Sequence, residues 1–315
     1  MSSRATGSSP EVLSRSLLGI RELPAEAIVQ ILDRAVELRE RTRADGPLDL
    51  LRGRTVALLF MEPSTRTRFS FEMAVRSLGA NPMVFGAAGS STVKGESLID
   101  TARTLKSVGA EAFVLRHKKV GAPHLLARRL GAPVVNAGDG IDEHPTQALL
   151  DALTLRDRLG DLSGRTVAIV GDVRHSRVAR SNCFLLTRLG ARVLMAGPGT
   201  LCPPGMDALG VEVVPSLDHA LREADAVMML RIQRERLGEA MLPSDREYAR
   251  FFGLSSERLA AARPEVLVMH PAPMNRGVEI TDDVADGDAS VVFDQVANGV
   301  AVRMAVIERA MGGGR

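Results

Sequence analysis

Short apolar runs recur along this chain, and nearly every one leads into a stretch with helical spacing. In the first half they are Thr55 to Met61 (TVALLFM), Pro82 to Phe85, Glu111 to Leu115 (EAFVL) and Pro133 to Ala137 (PVVNA). A second series follows Arg165: TVAIVGD, RVLMA, Ala224 to Leu230 (ADAVMML) and Pro264 to Met269 (PEVLVM). Runs this short, apolar on both faces and separated by helices, are what buried strands of a parallel sheet look like, because each crossover lays a helix on the sheet. The expected fold is therefore α/β, with two doubly wound parallel-sheet domains joined by helices. A length of 315 residues fits two such domains. The first is expected over 1–150 and the second over 151–295. Val300, Met304 and Ile307 mark a closing helix, about 296–315, that packs back on the first domain. Ile28, Ile31, Leu32, Ala35 and Leu38 predict a scaffold helix from Pro24 to Arg43, and Asp142 to Gly160 reads as one unbroken helix linking the domains.

In open sheets of this kind the ligand lies beyond the carboxyl ends of the strands, so the residues after each run carry the functional signal. The first run stops at Glu62-Pro63 and is followed by Ser64-Thr65-Arg66-Thr67-Arg68. A helix then starts, with Phe71, Ala74, Val75 and Leu78 on its apolar face and Gly79 at its end. Hydroxyls, guanidiniums and the free N–H groups of a helix N-terminus suit a multiply charged oxyanion such as phosphate. Helix capping alone would account for the serine and threonines. It does not account for two arginines where the helix dipole already favours anions. No Gly-x4-Gly-Lys-Ser/Thr pattern occurs, so a nucleoside triphosphate loop is not indicated.

The other strand ends repeat the theme. They carry Arg116-His117, then Gly138-Asp139-Gly140 with His144-Pro-Thr-Gln147, then Asp172, His175 and Arg177, then Arg231-Ile-Gln233, and finally His270-Pro-Ala-Pro273. Each alone reads as a cap or a surface group; together they describe a cleft. Arg66, Arg116, His144 and Gln147 match a phosphate, a carbonyl oxygen and an amide, while Arg177 and Arg231 suit carboxylates through paired guanidinium hydrogen bonds. A small phosphate compound and an acidic substrate are the expected ligands.

Several other classes drop out. Val170-Gly171-Asp172 lacks the later glycines of a dinucleotide fingerprint. The six histidines show no metal-ligand spacing, and Met228, Met229 and Met241 read as core filling. Forty basic against 38 acidic residues, with no basic run, argue against nucleic acid. No run approaches a membrane span, and residues 1–15 lack the apolar core of a signal peptide, so a cytoplasmic protein with a frayed N-terminal tail is expected. Cys183 and Cys202 form no disulfide or zinc pattern. The loop Gly89 to Gly95 (GSSTVKG), on composition alone, reads as solvated.

Together these motifs resemble the aspartate/ornithine carbamoyltransferase family from about Leu17 to Met311. The resemblance rests on Ser64 to Arg68, Arg116-His117, His144 to Asp151 and His270 to Pro273, in the family's order. Arg231-Ile-Gln233-Arg-Glu-Arg236 resembles the aspartate-using branch, and the loop and His-Cys-Leu-Pro motif of the ornithine branch are missing. The resemblance implies transfer of the carbamoyl group of carbamoyl phosphate to the L-aspartate amine, an early step of pyrimidine biosynthesis, without cofactor or metal. It implies that Ser64, Thr65, Arg66 and Thr67 hold the phosphate and that Thr67, Arg116 and His144 polarise the carbonyl oxygen. Gln147 and the backbone at Ala272 and Pro273 would orient the carbamoyl amide. Arg177, Arg231 and Gln233 would bind aspartate, together with Lys94. That lysine and Ser90 would come from a neighbouring subunit of a homotrimer, which overrides the solvated reading of their loop. His175 stands where some relatives have tyrosine, and Ala272 where they have leucine. Dihydroorotase or a regulatory chain are the further partners the resemblance raises. The competing readings are a non-catalytic scaffold for dihydroorotase and carbamoyl transfer to another amino acid.

Overall fold

A computed structural model of the chain describes residues 8–86, 96–233 and 244–313. It divides into two compact units, one of Met1–Leu149 with Asn298–Arg315 and one of Leu150–Ala297.

In the first unit, strands β1 (Thr55–Phe60), β2 (Asn81–Gly86), β3 (Ala112–His117) and β4 (Val134–Asp139) form a parallel sheet in the order β2-β1-β3-β4. Both faces of β1 and β4 are buried, as the unbroken apolar runs require, whereas β2 lies at the edge and is half exposed. Helices α1 (Pro10–Arg15), α2 (Ala25–Asp45), α3 (Thr65–Ser77), α4 (Leu98–Ser107) and α5 (Ala122–Leu130) belong to the same unit. The apolar side of α2 is the expected one, with Ile28, Ile31, Leu32, Ala35 and Leu38 buried. Phe113, Leu115, Leu126, Leu130 and Val134 form the core beneath α4 and α5.

The second unit repeats the plan. Strands β5 (Thr166–Val170), β6 (Arg192–Ala196), β7 (Glu212–Val213), β8 (Ala226–Met229) and β9 (Leu267–Met269) are parallel in the order β7-β6-β5-β8-β9. The connecting helices are α7 (Arg177–Arg188), α8 (Leu217–Glu223), α9 (Asp245–Phe252), α10 (Ser256–Leu259) and α11 (Asp282–Ala285). Its core gathers Val170, Leu194, Leu221, Met229, Leu254 and Val268. Met228 and Met229 are fully buried, and Met241 lies outside the described residues. The fold class is the expected one.

The division falls inside two helices, α6 (Pro145–Leu159) and α12 (Val292–Ala310). The unbroken helix expected from Asp142 is corrected here. Asp142, Glu143 and His144 form a turn, closed by a bridge between Asp139 and Glu143, and α6 starts at Pro145. Proline suits a first helical position, where its missing N–H costs nothing, so it marks a start that periodicity alone blurs. On the first unit, α12 is tied down by polar contacts. Arg34 on α2 grips Glu308 through two hydrogen bonds of 2.7 and 2.6 Å, and Arg303 donates to the Ser70 hydroxyl of α3 at 2.8 Å.

Candidate active site

The order in which strands are added turns back once in each sheet, and the candidate residues flank both of these points. In the first, β1 crosses over to β2 on one side while β3 crosses to β4 on the other, so the loops after β1 and β3 part and leave a crevice. In the second, β5 leads to β6 and β8 to β9, which opens a crevice between β5 and β8.

At the first crevice Ser64 occupies the cap position of α3, with extended backbone and no side-chain bond back to the helix. Its hydroxyl is therefore not used for capping. Thr65 and Arg66 are exposed on the first turn and Thr67 is buried. Arg116 sits on β3 in register with Phe60, so it stands beside the exit of β1. Its side chain is 12% exposed and lies 3.4 Å from Glu62. The pairing of β3 with β4 slips between Leu115 and His117, a bulge of the kind that re-aims strand ends near sites. His144 and Gln147 arrive from the turn that precedes α6 and from its first turn, 4% and 9% exposed. The His144 carbonyl accepts from the backbone N–H of Gln147 and Ala148 at 2.9 and 3.2 Å, which sets the start of the helix.

That turn is held by buried acids. Asp139 accepts from the Asn136 amide at 2.9 Å and the Glu143 N–H at 3.3 Å through one oxygen, and from the Gly121 N–H at 2.7 Å through the other. Glu143 in turn accepts from the N–H groups of Ile20 and Arg21. Asp139→Ala would strand several buried donors at once. We expect a loss of about 1–3 kcal/mol of stability, read as a lower urea midpoint.

His117 carries a pH signature. Its Nδ1 accepts the Lys119 N–H at 2.9 Å, and burial, with two neighbouring lysines, pushes its pKa down. The unfolded chain therefore binds this proton more readily than the native one, and stability is lost as pH falls below the unfolded value of about 6.5. Comparing urea midpoints at pH 7.5 and 5.5 should show a smaller acid loss in His117→Gln than in the parent.

At the second crevice Arg177 is the first residue of α7 and only 6% exposed. The cap before it, Ser176, bonds to Ala179 N, and the His175 ring meets the fully buried Asp172 at 2.9 Å. Arg231 and Gln233 follow β8, and the Gln233 amide donates to the His175 carbonyl at 3.2 Å, joining the two loops that flank the crevice. Ala272 and Pro273 follow β9. The Ala272 N–H donates to His270 Nδ1 at 2.8 Å, which leaves the ring proton on Nε2, 3.2 Å from Glu279. Ala272 holds a φ of 50°, rare for a residue with a Cβ, and the adjacent Asn275 N–H and His270 both point to Glu279. Gln295 and Asp151 anchor the start of this loop, through His270 N at 3.0 Å and a 2.7 Å amide bond.

Thus Ser64, Thr65, Arg66, Thr67, Arg116, His144 and Gln147 gather in one unit, and Arg177, Arg231, Gln233, Ala272 and Pro273 in the other. Ser90, Lys94 and the Arg234-Glu235-Arg236 end of the aspartate motif lie outside the described residues. Helices α3, α5, α6 and α7, which follow β1, β3, β4 and β5, carry no acid on their first turns, whereas α1, α2, α4 and α8 do. The N-cap amide of α5 is already met by Asp139, so the positive ends of α3, α6 and α7 are the ones that favour anions. Neither cysteine is poised as a nucleophile, since burial pushes the Cys183 thiol up to about 12 and raises that of Cys202. Among the described residues no group of three or more histidines, cysteines and acids could hold a metal, and no helix is long and apolar enough to cross a membrane.

Comparison with known families matches residues 15–157 to the aspartate/ornithine carbamoyltransferase carbamoyl-P binding domain and residues 163–309 to the Asp/Orn binding domain. The chain belongs to the aspartate/ornithine carbamoyltransferase family. Within this carbamoyltransferase family it is 58% identical to the aspartate carbamoyltransferase catalytic subunit of Gluconobacter oxydans, over 94% of this chain and 95% of that one. Aspartate transcarbamoylase from Trypanosoma cruzi, solved with N-(phosphonacetyl)-L-aspartic acid, superposes with a TM-score of 0.86 at 31% identity, covering 95% of this chain and 97% of that one. Ornithine carbamoyltransferase from Pyrococcus furiosus gives the same TM-score at 32% identity, covering 96% and 99%. Backbone shape therefore does not separate the two branches, and the choice of acceptor rests on side chains.

Proposed function

We propose that this chain is an aspartate carbamoyltransferase, which transfers the carbamoyl group of carbamoyl phosphate to the amine of L-aspartate and releases phosphate, an early step of pyrimidine biosynthesis. The observation that carries the acceptor is the pair Arg231 and Gln233 after β8, beside the buried Arg177. Two guanidiniums suit a substrate with two carboxylates and repel the extra ammonium of ornithine. In this reading Ser64, Thr65, Arg66 and Thr67 hold the phosphate. Thr67, Arg116 and His144 donate to the carbonyl oxygen, and Gln147 with the backbone at Ala272 and Pro273 orients the amide. The aspartate α-amine attacks the carbonyl carbon, the tetrahedral oxyanion collapses, and the C–O bond to phosphate breaks. The amine must lose its proton on the way, and the departing phosphate is an acceptor of suitable basicity. Holding two anions in register contributes up to roughly 7–11 kcal/mol in favourable systems.

The reading extends to assembly. Phe69 and Met73 lie four residues apart on α3 and are 50% and 53% exposed, and Val84 on the edge strand β2 is 43% exposed. An apolar face beside a sheet edge is what a subunit contact covers. Residues 87–95, with Ser90 and Lys94, continue directly from β2. A cytoplasmic homotrimer in which these two residues complete a neighbour's site accords with this, and sedimentation equilibrium should give about three times the chain mass.

Calorimetric titration with N-(phosphonacetyl)-L-aspartate, a phosphonate joined to an aspartate, tests the function. One site per chain is expected, weakened at least about tenfold both by Arg66→Ala in the first unit and by Arg231→Leu in the second. Unchanged affinity in Arg231→Leu would remove aspartate from the second unit.

A further inference from the structure

The first unit has a second pocket at the opposite edge of its sheet, where β1, β3 and β4 begin. A cavity of about 360 Å³ is bordered there by Arg15 of α1, Arg54 just before β1, Lys106 of α4, Glu111 just before β3, and Met311 beyond α12. Its charges do not balance. Among the described residues Lys106 Nζ meets the carbonyls of Leu130 and Gly131, at 2.7 and 3.0 Å. Arg54 pairs with Glu111 at 2.7 Å, and Arg15 reaches the largely exposed Glu11 at 3.4 Å. Arg309 adjoins the cavity residue Met311 by two positions and donates to the Ser14 carbonyl next to Arg15. Burial pushes its pKa down with no carboxylate offsetting that. Arg15 Nε and Arg309 Nη1 are both buried without a hydrogen-bond partner among the described residues. Three cations, Arg15, Arg54 and Lys106, thus border the cavity with one carboxylate, Glu111, and Arg15 offers it a guanidinium N–H that a ligand oxygen can take up.

We infer that this pocket binds an organic phosphate, its phosphate held by Lys106 and Arg15 and its apolar part lying against Val12, Pro133 and Met311. Arginine forks and a lysine point charge match phosphate oxygens. The cavity is larger than orthophosphate needs and falls at the small end of ligand pockets, roughly 300–1,000 Å³. The ligand would stand at the N-terminal edge of the strands, apart from the crevice at their carboxyl ends. It would pin α1 and the end of α12 against the sheet.

Phenyl phosphate, a phosphate ester with one flat apolar group, is the probe, with inorganic phosphate for comparison. Both are titrated into the whole protein after saturation with N-(phosphonacetyl)-L-aspartate, whose own binding is measured first. Failure of that analogue to bind would count against the proposed function alone, since the probe can still be titrated into the charge variants. Phenyl phosphate should bind once per chain in the saturated protein, more tightly than inorganic phosphate. Arg15→Met and Lys106→Met should each weaken it about tenfold, and Glu111→Gln, which removes an opposing charge, should tighten it. Lys106 also caps α5, so if its variant does not fold, Arg15→Met and Glu111→Gln decide. Absence of binding to the saturated protein, or equal affinity in parent, Arg15→Met and Glu111→Gln, would overturn the inference.

Discussion

His144→Ala should lower kcat for carbamoyl transfer by about 10²- to 10³-fold while KM for carbamoyl phosphate changes far less. The size follows from removing one preorganised donor to a developing oxyanion, a loss of roughly 2.7–4 kcal/mol. The backbone that carries His144 is firmly held. His144 is 4% exposed and its backbone starts α6. The turn before it is held by Asp139 and Glu143, each accepting backbone N–H groups. A donor fixed this way needs no reorientation as the carbonyl oxygen gains charge. If His144→Ala instead raised KM and left kcat intact, the histidine would be holding the ground-state substrate, and the oxyanion role would pass to Thr67 and Arg116 alone.

Arg231→Leu should cost about 2–5 kcal/mol in kcat/KM for aspartate, roughly 30- to 4,000-fold, and leave carbamoyl phosphate binding nearly unchanged. Leucine keeps much of the bulk and deletes the charge, so the loss reports the carboxylate pair and the cost of leaving that carboxylate unpaired. The selectivity matters as much as the size, because Arg231 follows β8 in the second unit while Ser64 to Thr67 follow β1 in the first. Equal losses for both substrates would mean that the variant damages the fold, and a shift toward other acceptors would mean that Arg231 sets choice more than affinity.

Much of this architecture is written in local patterns. The runs TVALLF and TVAIV are buried on nearly every residue and read as central strands for that reason, and α2 shows its apolar stripe in the sequence. Strand-end arginines and histidines were legible because parallel topology turns chain order into position, placing the residues after each strand at the carboxyl edge of the sheet. The supports of those residues were not. Asp139, Asp172 and Glu279 are fully buried acids, but an acid at a strand end or in a loop carries no periodic signal and reads as surface until its partners are known. The same limit moved the start of α6. Periodicity runs back to Asp142, while the bridge between Asp139 at the end of β4 and Glu143 in the turn holds the helix start at Pro145. β7, only Glu212–Val213 and exposed at the sheet edge, is too short to show alternation. The basic pocket below the first sheet draws on residues as far apart as Arg15 and Met311, which only the fold brings close.

In the proposed function, the phosphate donors of one unit and the carboxylate-binding arginines of the other serve carbamoyl transfer to aspartate. The most direct measurement gives the purified chain carbamoyl phosphate with either aspartate or ornithine and tracks phosphate and carbamoylated product together. Carbamoyl-aspartate and phosphate are expected in equal amounts with aspartate, and no carbamoylated product with ornithine. Turnover with ornithine, or none with aspartate either alone or with dihydroorotase added, would contradict it.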